Sequence, residues 1–505
     1  MKPWLQLILM AAFGCSTLTT TAQDGTLDAS FNGGMAEILL PHTVFNSPTH
    51  MAVQSDGKIV TTGFAVDSTI SGRRVYLTRY TTAGVLDNSF GTNGVVFKSV
   101  NSNYCMGQRV IIQPDGKIVV GVNFMDGTGF PKAVQLTRFL SNGTIDSAFG
   151  TNGSTDTFRV GSSATVTDLI LQSDGKLLLG LSDYPKGAIV RYNADGSRDN
   201  TFNGTGFYSW KPGFNGAITL WLIQNPDNSI MAAGSSSDGG NMFYYIRKFK
   251  VTGVPDSTFN GTGLITNRSF SIYGTYVGGF MRQTTGKYIL AGHNGYQRDS
   301  LLAGRLNADG SVDNSFNVTI EKINGKVSRG ATACLEPDDR ILIAGVTDTT
   351  LGGNAGHTAV TRFNVNGGKD NSFGSNGSWV STDIAYAVSS VKVQPDGKVL
   401  VASYKYDIPS DLANQAIYRL NNTLFTGIEE SQVKDAKMYP NPVSGLLHLP
   451  GAVGRVQVYS LIGGLVLNGE ALAETVELSG LPAGTYVVQA ETEGRGILRQ
   501  MITVR

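Results

Sequence analysis

The sequence contains little charge, and its few charges are balanced. Charged residues make up 16% of its 505 positions, whereas an average soluble protein has about 25%. The 40 Lys and Arg residues almost cancel the 39 Asp and Glu residues, so the basic face that nucleic-acid binding requires is missing. We therefore predict no nucleic-acid partner and no polybasic membrane signal.

Motifs that would carry chemistry are also missing. The chain has only five histidines and no H-E-x-x-H spacing, which a zinc protease would need. It has no G-x-S-x-G motif, the mark of a nucleophilic serine in one large class of hydrolases. The sequence therefore predicts no cofactor, no metal site and no catalytic residue.

Long apolar runs are absent beyond the first residues. Lys2 is followed by an apolar stretch over 4–13 and by small polar residues up to Ala22, a pattern typical of a secretory signal peptide. We predict a signal peptide over 1–22. An alternative is lipidation at Cys15, because residues 12–15 loosely resemble a lipoprotein cleavage site. No later segment reaches about 18 consecutive apolar residues, so we predict no transmembrane span.

Glycine, in contrast, is abundant, with 63 residues. Short β-branched runs such as RVIIQ, KIVVGV and VQLTRF alternate with turn residues, which is typical of strands joined by tight turns. Asp-Gly between two apolar runs strongly indicates a hairpin, because a tight primed turn needs positive φ. The composition therefore predicts an all-β chain.

Three elements recur at a nearly constant spacing and organise the chain from 24 to 420. The first is Asp-x-x-Phe, at Asp28/Phe31, Asp87/Phe90, Asp146/Phe149, Asp199/Phe202, Asp256/Phe259, Asp313/Phe316 and Asp370/Phe373. The second is a turn followed by a strand, as in QSDGKIVTTG from Gln54 and QPDGKVLVAS from Gln394. The third is a basic residue before an apolar one, at Arg79, Arg138, Arg191, Lys248, Arg305, Arg362 and Arg419.

A unit bounded by these elements holds about four short strands, and four-stranded sheets repeated radially form a β-propeller. We expect the repeated Phe to pack between neighbouring blades. We expect the repeated Asp to accept backbone N–H bonds and to pair with the basic residue eight positions earlier. Because these residues recur in nearly every unit, we interpret them as scaffold.

The two ends of the repeat region are complementary. The chain begins with an Asp-x-x-Phe that lacks the preceding Arg, and the repeats finish at Arg419-Leu420 without a following Asp-x-x-Phe. If the segment near 24–40 completes the last blade, seven blades close into a ring and no sheet edge is left unpaired. We therefore predict a seven-bladed β-propeller over 23–425, closed by its N-terminal segment. Cys105 and Cys334 would lie on well-separated blades, too far apart for a disulfide, and Cys334 occupies an apolar strand position that predicts a small buried side chain.

The patterns D-x-x-F-G-x-x-G and Q-P-D-G-K-[IV] resemble the delta-60 repeat of bacterial secreted and surface proteins. The resemblance covers the whole repeat region. It implies a propeller-like fold and no established activity.

The repeat pattern stops at a polar linker over 426–437, and a compact β module over 438–505 follows. This module resembles the C-terminal sorting domain of the type IX secretion system of Bacteroidota, a small β-sandwich. The residues that carry the resemblance are Tyr439, Pro440, Asn441, Pro442, Gly484 and Tyr486. Ser460 and Gly464 depart from the family, which often has Asp and Arg there. The resemblance implies export through the type IX machinery as a partner and a final location in the medium or on the cell surface.

The segment after the second strand of each repeat varies in length, and variable loops on one face of a propeller often form its binding surface. Every such segment contains an early carboxylate and several contain an aromatic residue. We predict a binding rim of Asp67, Asp126, Asp183, Asp238, Asp299, Asp348, Asp407, Tyr184, Tyr296 and Tyr404. The alternative is that these Asp residues serve turns.

Two classes of function follow from these patterns. The first is a non-catalytic secreted scaffold that binds a glycan, a protein or a surface polymer as its extracellular ligand. The alternative is a secreted propeller enzyme, a hydrolase or lyase of polysaccharide. The inward-facing residues should separate the two classes: a catalytic site should sit on a few atypical blades, whereas a scaffold should show no such concentration.

Overall fold

The computed structural model describes fourteen stretches of the chain. They are 23–41, 43–67, 72–98, 104–126, 128–212, 219–238, 241–267, 275–294, 299–347, 355–407, 412–423, 438–460, 465–492 and 497–505. The predicted signal peptide over 1–22, with Cys15, and the predicted linker over 426–437 lie outside the described residues.

Strands dominate the repeat region, as predicted. They are β1 (Met35–Ile38), β2 (Thr43–Val53), β3 (Ile59–Asp67), β4 (Arg73–Tyr80), β5 (Val95–Lys98), β6 (Cys105–Ile112), β7 (Ile118–Met125), β8 (Pro131–Phe139), β9 (Ser163–Leu171), β10 (Leu177–Tyr184), β11 (Lys186–Tyr192), β12 (Phe207–Trp210), β13 (Trp221–Gln224), β14 (Ile230–Asp238), β15 (Asn241–Phe249), β16 (Leu264–Asn267), β17 (Thr275–Arg282), β18 (Tyr288–Asn294), β19 (Leu301–Leu306), β20 (Thr319–Glu321), β21 (Ser328–Leu335), β22 (Ile341–Thr347), β23 (Gly356–Phe363), β24 (Ser378–Val393), β25 (Val399–Asp407) and β26 (Leu412–Leu420). Short 3-10 helices lie at Asn32–Gly34, Phe202–Gly204 and Ile323–Gly325.

Antiparallel pairing divides these strands, over the described ranges, into seven consecutive groups, which is compatible with seven blades. Blade 1 is β2–β5, blade 2 is β6–β8, blade 3 is β9–β12, blade 4 is β13–β16 and blade 5 is β17–β20. Blade 6 is β21–β23 with the first half of β24, and blade 7 is the second half of β24 with β25, β26 and β1. In blade 2, isolated bridges from Val134 to Phe158 and from Thr137 to Ser154 replace a regular fourth strand.

The ring closes through the N-terminal strand. Strand β1 pairs antiparallel with β26, with Met35 opposite Tyr418 and Ile38 opposite Gln415. The first strand of each blade contacts the first strand of the next, and the second half of β24 returns to contact β2. These strands therefore surround a central axis, and the predicted closure by the N-terminal segment is confirmed.

The hydrophobic core lies between adjacent blades. Leu178 and Ile189 of blade 3, for example, pack in one cluster with Leu220, Leu222 and Ile230 of blade 4. Such interfaces follow from the strand pattern, because both faces of each sheet are covered by neighbouring sheets and the central strands are therefore apolar on both sides. Each blade is stabilised by its two neighbours.

The repeated basic residue and the repeated Asp form a buried ion pair within the blade. In blade 3, Arg191 Nε donates to Asp199 Oδ2 at 2.7 Å, and Lys176 of the hairpin turn lies 2.9 Å from the same oxygen. The other carboxylate oxygen accepts the N–H and hydroxyl of Thr201 at 3.1 and 2.6 Å. Both carboxylate oxygens of Asp199 therefore have partners within the blade, as expected of a residue that stabilises the fold.

The same arginine also links one blade to the next. Arg191 Nη1 donates to the carbonyl of Val251 in blade 4 at 2.7 Å, and its guanidinium stacks 4.5 Å over the ring of Phe202. Phe202 in turn packs under Gly253, where a Cβ would lie 2.5 Å from the ring. The predicted placement of the repeated Phe between blades is thus confirmed.

The C-terminal module contains two sheets around its own core. Its strands are β27 (Leu446–His448), β28 (Ala452–Ser460), β29 (Leu465–Glu470), β30 (Thr475–Glu477), β31 (Gly484–Thr492) and β32 (Ile497–Val504). Strands β27 and β30 pair with each other, and the second sheet has the order β29-β28-β31-β32. Buried Val456, Val488 and Ile502 lie in the core of this module, which agrees with the predicted sandwich.

Candidate functional site

The described positions of the predicted rim lie on one face of the propeller. Because the strands of each blade are antiparallel, the loop after the second strand lies at the same end as the connection to the next blade. Tyr296 and Asp348 lie outside the described residues. Asp67, Asp238 and Asp407 end strands β3, β14 and β25, and the structure does not describe their side chains.

Asp126 organises its own loop. Its Oδ1 accepts the backbone N–H groups of Thr128 and Phe130, both at 3.0 Å, and the hydroxyl of Thr128 at 2.6 Å. Lys132 lies 3.1 Å from Oδ2. The Thr128 hydroxyl and the other N–H donors hold the pKa of Asp126 well below its usual range. The loop is preformed, and its carboxylate remains ionised at neutral pH.

Asp183 is buried and connects two segments of blade 3. It accepts the N–H groups of Val160, Gly161 and Ser163 at 2.5, 2.8 and 3.3 Å, so it fixes the chain entering β9. The adjacent Tyr184 is 50% exposed. Of these two neighbours, Tyr184 presents its side chain to solvent and Asp183 stabilises the loop beneath it.

Asp299 is partly buried beside the entry to blade 6. Its carboxylate accepts from the Asn294 side chain at 2.5 Å and lies 2.7 Å from Lys322 Nζ. Burial alone would raise the pKa of Asp299, but Lys322 and Asn294 lower it. Asp299 therefore carries a charge that Lys322 already balances.

Tyr404 belongs to an aromatic cluster where blade 7 meets blade 1. Its ring centroid lies 5.1 Å from that of Phe45 and 5.5 Å from that of Tyr386, and Tyr386 lies 4.7 Å from Tyr406. All four rings are partly exposed. Partly exposed aromatic faces with phenol groups can contact a ligand through apolar surface and hydrogen bonds together.

A second group of side chains lies around the central axis. The residue four positions before the hairpin turn occupies the same register on the first strand of every blade. These residues are His50, Arg109, Asp168, Trp221, Gly279, Thr332 and Ser390. Large or charged side chains therefore lie on blades 1 to 4, whereas blades 5 to 7 carry small ones. The position two residues later adds Cys334 and Lys392 among apolar residues.

We call the six residues His50, Arg109, Asp168, Trp221, Cys334 and Lys392 the channel cluster. Its clearest contacts join different blades. Arg109 Nε of blade 2 lies 4.0 Å from Asp168 Oδ1 of blade 3. The Arg109 guanidinium of blade 2 lies 5.0 Å over the ring of Trp221 in blade 4, so it reaches past blade 3. Asp168 Oδ2 accepts the N–H of Leu222 at 2.8 Å, and Trp221 Nε1 donates to Val277 of blade 5 at 3.1 Å.

Residues of the channel cluster on different blades also affect one another's pKa. Burial, together with the charges of Lys392 and Arg109, lowers the pKa of His50 well below its ordinary value, so this imidazole is neutral at pH 7. Burial also lowers the pKa of Lys392, against the opposing effects of Cys334 and Asp168. Groups from blades 1, 2, 3, 6 and 7 thus influence one another around the axis.

Burial acts on the two acidic members as well. It raises the pKa of Asp168, although Arg109 and the N–H of Leu222 oppose the shift. It raises the pKa of the Cys334 thiol to about 12, so this cysteine is not a thiolate nucleophile at neutral pH. Cys334 was predicted to be a small buried side chain; it is half-buried and packs against an apolar core cluster. Cys105 and Cys334 form no disulfide, as predicted.

The channel cluster was not predicted from the sequence, although the sequence contained a signal for it. Each member stands at a fixed distance from a recognisable hairpin turn, and each differs in chemistry from its counterparts in other repeats. Comparing the repeats at that register would have identified Arg109, Asp168 and Lys392 as exceptions. Among the described residues, no group of His, Cys, Asp or Glu side chains has a geometry that could hold a metal ion.

The residues predicted to carry the sorting motif cluster at one end of the C-terminal module. Tyr439 exchanges backbone hydrogen bonds with His448 and stacks on its ring at 5.0 Å. The Asn441 side chain bonds Met501 O and the N–H of Thr503, both at 2.9 Å. Pro440 and Pro442 flank Asn441, and Gly484 begins β31. Tyr486 donates its hydroxyl to Pro482 O at 2.8 Å.

Two family models match the chain. A domain of unknown function described as the DUF5122 β-propeller matches residues 54–90, 113–149, 172–202, 283–316 and 336–373. The secretion system C-terminal sorting domain matches residues 437–504. No curated protein matches the sequence.

Several solved structures also match the chain at low identity. PorZ, a surface component of the type IX secretion system of Porphyromonas gingivalis, is 11% identical with a TM-score of 0.41, and the match covers 91% of this chain but only 59% of PorZ. The polysaccharide lyase Uly1 is 13% identical with a TM-score of 0.45, covering 80% of this chain and 98% of the lyase. The β-propeller domain of the Trilobed protease from Pyrococcus furiosus is 9% identical with a TM-score of 0.39, covering 78% of this chain and 99% of that domain.

The structure and the family matches agree on the class of protein. Within the described ranges, no helix combines the length and apolar character needed to cross a bilayer. The sorting domain directs the chain to the cell surface or the extracellular medium and implies recognition by the type IX machinery. The chain is a β-propeller protein with DUF5122 repeats and a C-terminal type IX sorting domain, consistent with an origin in Bacteroidota.

Proposed function

We propose that the propeller is a non-catalytic scaffold that binds an extracellular glycan or surface polymer at the channel cluster. The observation that carries this proposal is the break in repetition at one register. His50, Arg109, Asp168 and Trp221 occupy the register where three other blades have Gly279, Thr332 and Ser390. The fold does not need this asymmetry for its own stability, because the ion pairs and the Phe packing already recur around the ring.

The loop face supplies outer contacts in this proposal. Tyr184 is exposed, and Tyr404 belongs to a partly exposed group with Tyr386 and Tyr406. Rings of this kind suit sugar faces, because they offer apolar surface beside a hydrogen-bonding hydroxyl. The carboxylates of Asp126, Asp183 and Asp299 hold the loops that surround them, so their support for binding is indirect.

The alternative, a polysaccharide-degrading enzyme, is favoured by the same asymmetry. Glycoside hydrolysis usually requires two carboxylates that flank the scissile bond. Asp168 is the only carboxylate among the fourteen residues at the two wall registers. His50 is neutral, but its Nδ1 lies 3.2–3.3 Å from the backbone of Val110. Among these positions the chemistry therefore supports binding better than hydrolysis.

A glycan array probed with the full chain tests the proposal. We expect binding to a restricted set of glycans, with no new reducing ends and no unsaturated sugar in the bound material after prolonged incubation. The double variant R109M/D168N should lose the signal, whereas K250M, at an exposed turn, should keep it. Release of shortened product would support the enzyme instead. A uniformly blank array, or binding unaffected by R109M/D168N, would overturn the channel proposal.

The rim requires its own variants. Y404A and Y184A should each weaken array binding by several-fold if the loop face contributes contacts. Tyr184 gives the cleaner test, because its exposed ring can be removed with little effect on the fold. Unchanged binding in both variants would exclude the rim and leave the channel as the proposed site.

A further inference from the structure

The charges of the channel cluster do not balance. The two wall registers contain two cationic side chains, Arg109 and Lys392, and one carboxylate, Asp168. His50 is neutral because burial and the neighbouring cations lower its pKa. Within these two registers, one positive charge is therefore left without a counter-charge.

The single carboxylate is already engaged. Asp168 lies beside Arg109 and accepts the backbone N–H groups of Leu222 and Leu169 at 2.8 and 2.9 Å. The side chains of Arg109 and Asp168 are only 15% and 13% exposed. Arg109 also covers the ring of Trp221, which fixes the plane of its guanidinium. Arg109 Nη1 also donates to the carbonyl of Gln108 at 3.0 Å, so the pair is preorganised.

Lys392 is the unmatched partner. It lies on the second half of β24, opposite Leu400 in the sheet register, and it is partly buried. No hydrogen bond or ion pair joins its ammonium group to any residue that the structure describes. Burial lowers the pKa of Lys392, whereas Cys334 and Asp168 raise it. A partly desolvated ammonium without an acceptor costs free energy unless an anion pairs with it.

We infer that the channel binds an anionic group, a carboxylate or a sulfate ester of an extracellular glycan, between Lys392 and Arg109. This inference rests on the proposed binding function and names the chemistry of its ligand. A guanidinium donates two parallel N–H bonds to a planar or tetrahedral oxyanion, and a lysine adds a mobile point charge. The bound anion supplies the counter-charge that the chain itself lacks.

The expected signature combines selectivity with salt dependence. Titration of the full chain with three oligosaccharides of equal length tests it: a uronic-acid oligomer, a sulfated neutral-sugar oligomer and an uncharged oligomer. At least one anionic oligomer should bind tenfold more tightly than the uncharged one, and its affinity should fall as salt is raised. The two anionic arms distinguish carboxylate from sulfate as the source of the charge.

Variants of one residue separate this inference from folding effects. K392M should lower affinity for the anionic oligomer at least tenfold without lowering thermal stability, because it removes an uncompensated cation. K392R should retain most of the affinity. K250M, which removes an exposed lysine of equal charge, should bind as the unsubstituted chain does.

The outcomes also separate the inference from the proposed function. Equal binding of charged and uncharged oligomers that is abolished by R109M/D168N would overturn the anion inference and leave the binding function intact. Anion binding that K392M leaves unchanged would also overturn the inference. Failure of every oligomer and of the glycan array would overturn both.

Discussion

Arg419 and Asp28 are separated by 391 positions in the sequence, yet Arg419 Nε donates to Asp28 Oδ2 at 2.8 Å. Arg419 also donates to Ser30 Oγ at 2.8 Å and to the carbonyl of Thr82 in blade 1 at 2.5 Å. This single guanidinium therefore reproduces, across the two ends of the ring, the contacts that Arg191 makes within blade 3 and with blade 4.

The first prediction concerns this contact. D28N preserves the shape of the side chain but leaves Arg419 and Lys398 without their shared counter-charge. Because both Arg419 and Asp28 are buried, we expect a loss of about 3 kcal/mol in the free energy of unfolding, measured by urea denaturation. D195N, at an exposed turn, is the control. A midpoint equal to that of the unsubstituted chain would show that closure does not depend on the ion pair.

The second prediction removes the closing strand. Deletion of residues 23–38 leaves β26 with an unpaired edge on blade 7. Exposed edges favour pairing between copies, so we expect a lower melting temperature together with oligomers in size-exclusion chromatography with light scattering. A stable monomer would contradict closure by β1.

The third prediction compares two glycines in left-handed conformation. Gly196 has φ +88°, and a Cβ there would lie 2.8 Å from the backbone N of Gly150 and 3.0 Å from the ring of Phe149. Gly175 has φ +83° and open space around it. G175A should cost about 1 kcal/mol from backbone strain, whereas G196A should cost about 1–3 kcal/mol more because the blade interface must move. Equal losses by urea denaturation would argue against Phe–Gly packing as a blade contact.

The fourth prediction concerns Lys248, the one repeated basic residue that is not an arginine. Lys248 stands where six blades have Arg, and it lies 3.4 Å from Asp256. K248R would stack on Phe259 and reach the carbonyl of Ala308, the counterpart of Val251 in the next blade. We expect a gain of about 1 kcal/mol in unfolding free energy, with K250R as an exposed control. A loss of stability would show that blade 4 has adapted to the smaller cation.

The fifth prediction is a pH dependence. Burial alone would raise the pKa of Asp199, but bonds from Thr201 and Lys176 and the charge of Arg191 lower it to about 2 from an ordinary 3.8. The ionised carboxylate therefore stabilises the fold above about pH 4, and this contribution is lost as the pH falls towards 2. Urea midpoints measured between pH 6 and 2 should fall steeply, and less so in D199N. Parallel curves for both proteins would contradict a role for Asp199.

Much of the scaffold was predictable because each blade repeats the same local chemistry. Asp-Gly turns, β-branched runs and the spacing of Arg191, Asp199 and Phe202 identify one blade, and repetition then identifies the ring. The ion pair, the turn bonds of the Asp and the packing of the Phe were all expected. Even closure was foreseen, since the half-unit at Asp28 complements the half-unit at Arg419.

The candidate site was harder to predict from the sequence than the scaffold was. The rim prediction rested on loop variability, and the structure shows that Asp126 and Asp183 engage the backbone of their own loops. Tyr404 contacts Phe45 and Tyr386. Phe45 belongs to the first blade and Tyr386 to the last, so this cluster forms only where the two ends of the ring meet.

By itself, the sequence determined the all-β class, the repeat, the closing segment and the export module, because turn chemistry and strand patterns act over a few residues and then recur. Only the tertiary structure decided that Arg109, Asp168 and Trp221 come into contact. Side chains from separate repeats meet around an axis that no local pattern encodes, and the balance of their charges becomes visible only once the ring has closed.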